Sequence, residues 1–92
     1  MRIELTESFQ RSVHDLGADE RAAVFDVLLS LPEGIGDPHR HAGTVLRKLH
    51  PSGVWEARIG LGLRLVFTFA RGTATLVLVG NHDEVRRFLR SL

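Results

Sequence analysis

Ninety-two residues, 43% hydrophobic and 25% charged with a formal net charge of +1, match a soluble globular chain of one domain rather than a disordered or fibrous one. The absence of cysteine excludes disulfides, thiolate nucleophiles and cysteine-type zinc sites. No run approaches the ~20 apolar residues that span a bilayer, and Met1-Arg2-Ile3-Glu4 has no signal-peptide pattern, so no membrane contact and a cytoplasmic location are expected.

The small net charge hides an asymmetry. Residues 1–39 carry three basic side chains (Arg2, Arg11, Arg21) against eight acidic ones, whereas residues 40–92 carry nine basic against three acidic (Glu56, Asp83, Glu84). A basic C-terminal half supplies a positive field that attracts nucleic acid if its charges share a face; scattered over solvated helices they attract nothing in particular.

In chain order, residues 2–5 alternate polar and apolar, which predicts a short strand. Thr6 suits an N-cap and Glu7 the first turn of a helix over 7–16, with Phe9, Val13 and Leu16 on one side and Gly17 as a left-handed stop. A second helix starts near Asp19, buries Val24, Val27, Leu28 and Leu31, and ends at Pro32, giving a helical hairpin. Residues 32–45, with two prolines and three glycines, read as a surface loop. Leu46-Arg47-Lys48-Leu49 leads towards the sheet.

Three strands follow, over 54–59, 63–70 and 73–79, joined at Gly60–Gly62 and at Arg71-Gly72. Alternation places Trp55, Ala57, Ile59, Leu63, Leu65, Phe67 and Phe69 on one face, packed on the helical hairpin. Val54, Glu56, Arg58, Arg64, Val66 and Thr68 fall on the other, with the charged members near water. Asn81 then caps a last helix, Glu84 completes a capping box, and Val85, Phe88, Leu89 and Leu92 form its apolar stripe. The expected fold class is α+β: an N-terminal strand and helical hairpin on an antiparallel sheet, with a short C-terminal helix.

Arg58 and Arg64 sit on adjacent strands, where planar guanidiniums suit bidentate phosphate contact. With Glu56 beside them, they read equally as a solvated cross-strand salt bridge, worth under about 1 kcal/mol. His82 opens the last helix, whose free amides favour an anion, and histidine is the side chain best suited to proton transfer near neutral pH. It also reads as an ordinary exposed first-turn histidine. His39, His41 and His50 are too weakly patterned for a metal site, and no metal or other cofactor is expected. Arg47, Lys48 and Arg86 extend a basic track or are simply solvated.

The pattern LRKL…GVWEARIGLGLRLVF…LVLVGNHDEV resembles the RelE/ParE toxin superfamily of bacterial toxin–antitoxin systems over nearly the whole chain. Gly53-x-Trp55-x-x-Arg58-Ile59, followed by Arg64-Leu65-Val66-Phe67, looks most like the YoeB-type branch, and GNHDEV is similar to the GHRDEVY ending common in the superfamily. The resemblance implies two N-terminal helices on a curved antiparallel sheet. It also implies that Arg58 and Arg64 lie at a scissile phosphate and that His82 occupies a catalytic position. Val54 and Glu56 stand where the RelE branch has strand lysines. Arg86 replaces the terminal tyrosine of the ending, and the chain has no tyrosine at all.

The leading expectation is a toxin that cleaves mRNA, on the ribosome or free of it, by attack of a ribose 2′-hydroxyl on the adjacent phosphate. In that reading Arg58 and Arg64 hold the phosphate, His82 transfers a proton, Glu56 is the base, and Arg47, Lys48 and Arg86 bind RNA. A cognate antitoxin is the implied protein partner. The alternatives are a ParE-like inhibitor of DNA gyrase, acting by binding alone, and a non-toxic interaction domain on the same scaffold.

Overall fold

The computed structural model describes residues 1–36 and 46–92. Along the chain run β1 (Arg2–Leu5), α1 (Glu7–His14), α2 (Ala18–Gly36), β2 (Leu46–His50), β3 (Val54–Ile59), β4 (Leu63–Ala70), β5 (Thr73–Gly80) and α3 (His82–Arg90). The strands form one sheet in the order β1-β5-β4-β3-β2, with β1 parallel to β5 and every other pair antiparallel. The architecture is α+β, as expected. The short basic segment at Leu46 is a full edge strand rather than a lead-in to the sheet. Among the described residues, no helix is long and apolar enough to cross a membrane.

Local chemistry explains the element ends. Thr6 caps α1, its hydroxyl accepting from the Phe9 N–H at 3.1 Å. Gly17 is not the left-handed stop that its position suggests. Asp15 closes α1 in a right-handed conformation, and Gly17 instead opens α2, its carbonyl accepting from the Arg21 N–H at 2.9 Å. Nor does Pro32 end α2, which runs on to Gly36. Proline forfeits one helical hydrogen bond, but Leu31 and Gly34 on either side of it are buried and Ile35 packs on the core, so tertiary packing holds the last turn. Residues 32–36 of the expected loop are therefore helical, and residues 37–45, with His39 and His41, lie outside the described residues.

The β4–β5 hairpin has a two-residue turn in which Arg71 (φ 53°) and Gly72 (φ 75°) are both left-handed, the backbone that matches strand twist. Further along, β5 bulges at Val77. Val66 pairs with Leu78 while Phe67 pairs with Leu76, so the inward alternation Ala74, Leu76 resumes at Val79. The bulge lies where β1 has run out and β5 would be a bare edge. Hydroxyls of α1 cover it: Thr6 Oγ1 donates to the Leu76 carbonyl (2.8 Å), Ser8 Oγ to the Val77 carbonyl (2.7 Å), and Ser12 Oγ accepts from the Val79 N–H (2.9 Å).

Two apolar clusters lie on opposite sides of the sheet. On one, Phe9 and Val13 of α1 and Val24 and Leu31 of α2 pack on Ala57, Ile59, Leu65, Phe67, Ala74, Leu76 and Val79. Trp55 is only half-buried there. On the other, Val85 of α3 packs on Val54 and Val66, with Leu49, Val77, Leu78, Phe88 and Leu89 around them. Leu92, expected in the stripe of α3, is exposed beyond the helix end. The second cluster overturns one expectation: α3 roofs this face, so Glu56 is buried (5% exposed) rather than kept near water.

Candidate functional site

On the α3 face, β3 and β4 place Glu56 and Arg64 on a diagonal. Glu56 pairs across with Arg47 on β2 and Val66 on β4, while Arg64 pairs with Arg58 on β3 and Gly80 on β5. The Arg64 Nη1 donates to Glu56 Oε1 at 3.0 Å, with side-chain exposures of 18% and 6%. This is not the solvated surface bridge that the sequence allowed. Burying both charges costs desolvation, which their mutual attraction offsets, and neither is easily removed alone.

His82 is set by the turn from β5 into α3. Asn81 Oδ1 accepts from the Glu84 N–H (2.9 Å) and Glu84 Oε1 accepts from the Asn81 N–H (3.0 Å), the expected capping box. The returning Glu84 side chain lies against Gly80, where an added Cβ would stand 3.0 Å from Glu84 Cβ. A glycine therefore lets the first turn of α3 press onto the sheet end. His82, exposed in that turn, stands at the mouth of a groove between α3 and the sheet.

That groove, of about 300 Å³, is lined by Arg47, Glu56, Arg64, His82 and Arg86, with Leu49, Val85 and Leu89 as apolar walls. Three arginines and one histidine face one carboxylate. Such a surface holds an anion, presents a histidine for proton exchange, and offers an apolar wall to a planar group. Five of the seven residues expected at a site thus meet. Arg58 is exposed on the same face, directly opposite Arg64, yet lies outside the groove lining. Like charges placed so are unfavourable, and Glu56 relieves only Arg64, so an anion bound on this face would be welcome to both. Lys48 belongs to the other face, its Nζ 5.9 Å from the centre of the Trp55 ring. His50 is held in a turn, its Nδ1 accepting from the Ser52 N–H at 3.1 Å. Among the described residues, no three His, Cys, Asp or Glu side chains gather as metal ligands.

Sequence reasoning missed the walls. Leu49 joins the α3 face beside an irregularity in β2 between Lys48 and His50, and Leu89 closes the groove because α3 lies over the sheet. Only the apolar stripe of α3 hinted at either.

No family model and no curated protein matches the sequence. Solved structures match its fold. The DinJ–YafQ complex from E. coli has a chain with TM-score 0.68 at 14% identity, the match covering 92% of this chain and 98% of that one. The RelBE2 toxin–antitoxin complex of Mycobacterium tuberculosis gives TM-score 0.64 at 22% identity over 88% and 96% of the two chains. The archaeal RelE–RelB complex of Pyrococcus horikoshii gives 0.65 at 13% over 87% and 92%. The paired strands, the two N-terminal helices and the capped last helix together give this chain the fold of these RelE- and YafQ-containing structures.

Proposed function

We propose that the protein is the toxin of a toxin–antitoxin system and cleaves mRNA in the groove beneath α3. The observation that carries this reading is the convergence of Arg47, Arg64, Arg86 and His82 around one buried carboxylate. Its fold supports the same reading, because the solved structures of like fold include toxins, two of them in toxin–antitoxin complexes. A cognate antitoxin is accordingly its proposed partner, and the cytoplasm, where mRNA and ribosomes lie, its proposed place of action.

In the proposed reaction the ribose 2′-oxygen attacks the adjacent phosphorus and the bond from phosphorus to the 5′-oxygen breaks. Cleavage leaves a 2′,3′-cyclic phosphate and a free 5′-hydroxyl. Arg64, oriented by Glu56, faces the charge that develops on the phosphoryl oxygens, with Arg58 supporting the neighbouring backbone. Protonated His82 supplies the proton to the leaving 5′-oxygen. The 2′-proton passes to the Glu56 carboxylate, whose Oε1 is engaged by Arg64, and both groups then re-equilibrate with water. Arg47 and Arg86 hold flanking phosphates. Lys48, on the other face, has no part in this groove.

One pair of assays tests the reading. Purified protein is incubated with mRNA, free and on translating ribosomes, and in parallel with DNA gyrase in a supercoiling reaction. Fragments ending in cyclic phosphate are expected in the first assay. If four arginines engage four phosphates, affinity should fall with salt at a log–log slope of about −3 for a single strand. A second reading, gyrase inhibition by binding alone, is favoured by the engagement of Glu56 with Arg64 and by the lack of tyrosine. Blocked supercoiling without RNA fragments would replace the first reading with the second.

A further inference from the structure

The two sides of α2 are apolar for different reasons. Val24 and Leu31 are completely buried in the core, and Val27 and Leu28 pack beside them. An ordinary surface helix would then be polar on its outer side. Here Ala22, Phe25, Leu29 and Pro32 are all exposed, at spacings of three, four and three that align them along the helix. Phe25 is 46% and Leu29 74% exposed. Asp19 and Asp26, exposed and seven residues apart, run along one border of that line, and Glu33 continues the row a further seven on.

An apolar row with carboxylates along one border and only Arg21, exposed and four residues before Phe25, on the other is the complement of an amphipathic helix with apolar anchors at i, i+3 or i+4 and i+7 and a basic edge on the carboxylate side. We propose that the outer face of α2 is a docking surface for such a basic amphipathic helix, carried by a partner protein. Its apolar side covers Phe25 and Leu29, and its cations meet the carboxylates of Asp19 and Asp26. Charge complementarity selects this occupant over a second copy of the chain. A two-fold contact through α2 would set the same carboxylates against each other. The basic helix α3 of another copy already spends its apolar side, Val85, Phe88 and Leu89, on its own sheet. The surface lies across the sheet from the groove under α3, so the proposal stands or falls independently of RNA cleavage.

The test uses the full chain and two synthetic helical peptides with identical leucines at i, i+3 and i+7, one with lysines along one edge and one with glutamates there. Fluorescence anisotropy should show the lysine peptide binding and the glutamate peptide failing to bind. Leu29→Asp should weaken binding about 30-fold, the scale of an interface hot spot. Asp19→Lys with Asp26→Lys should reverse the preference between the peptides. All three positions are exposed, and circular dichroism should confirm that the variants keep the wild-type fold. Equal binding of both peptides, binding of neither, or indifference to Leu29→Asp would overturn the proposal. Sedimentation showing a wild-type dimer that Leu29→Asp dissolves would overturn it in favour of a second copy.

Discussion

Beneath α1 and α2 the buried part of the sheet is wholly apolar. Beneath α3 the same strands contribute a buried carboxylate, a mostly buried guanidinium and an open groove. Neighbouring residues on one strand serve opposite ends: Leu65 and Phe67 close a dry core, while Arg64 faces the groove and Val66 the small cluster under α3. The difference lies in what covers each face. Two helices bury the centre of the first, where Leu65 and Phe67 are fully enclosed, whereas one nine-residue helix roofs the second only in part, dry at Val85 and open towards His82 and Arg86. A partly roofed face gives charges the low dielectric that strengthens them and still admits a ligand.

Substitutions on the two faces should separate stability from function. The largest stability effect belongs to the dry side. Phe67→Ala, at a site 1% exposed, should cost about 4 kcal/mol in urea unfolding through the cavity it leaves, and cleavage should fall only as far as folded protein is lost. On the other face, Arg64→Ala should cost about 3 kcal/mol by stranding the buried Glu56 carboxylate, besides slowing cleavage. Replacing both partners, as Glu56→Leu with Arg64→Met, should recover most of that stability while abolishing the proposed cleavage. A double variant as unstable as the single one would show that the pair does more for the fold than neutralise itself.

Two smaller effects sharpen the contrast. Asn81→Ala should cost about 1 kcal/mol by opening the capping box that seats α3. It should also lower cleavage more than that loss explains, since His82 follows directly. Arg71→Gly, at φ 53° in the distant β4–β5 turn, should instead raise stability by about 0.5 to 1 kcal/mol with no change in cleavage. A cleavage defect at Arg71 would extend the site beyond the α3 face.

The division of the sheet into faces was legible because strand alternation has a period of two, and Trp55, Leu65 and Phe67 fall on one parity with Glu56, Arg58 and Arg64 on the other. The capping box at Asn81 was legible because it is local. What escaped depended on contacts far apart in sequence. Glu56 looked solvated because no strand pattern reports that a helix thirty residues on will cover it. Pro32 looked like a terminus because the packing that holds Leu31 and Ile35 outweighs the local penalty. The bulge at Val77 is fixed by the hydroxyls of Thr6 and Ser8, about seventy residues away. Of the expected site, the members on the β3–β4 diagonal and at the start of α3 converge. Lys48 and Arg58 part from them because pleat parity turns one to the opposite face, while the other lies beyond the groove lining.

The central claim is that the face under α3 carries out the chemistry, and His82 tests it most directly because it is exposed and its removal should leave the fold intact. Single-turnover cleavage of mRNA by wild type and His82→Ala should be compared at matched folded concentration, with thermal unfolding as the control. The account predicts an unchanged unfolding midpoint and a rate lower by about 100- to 10,000-fold, the range for loss of a proton-transfer group. A His82→Ala protein that is folded and cleaves at the wild-type rate would contradict it.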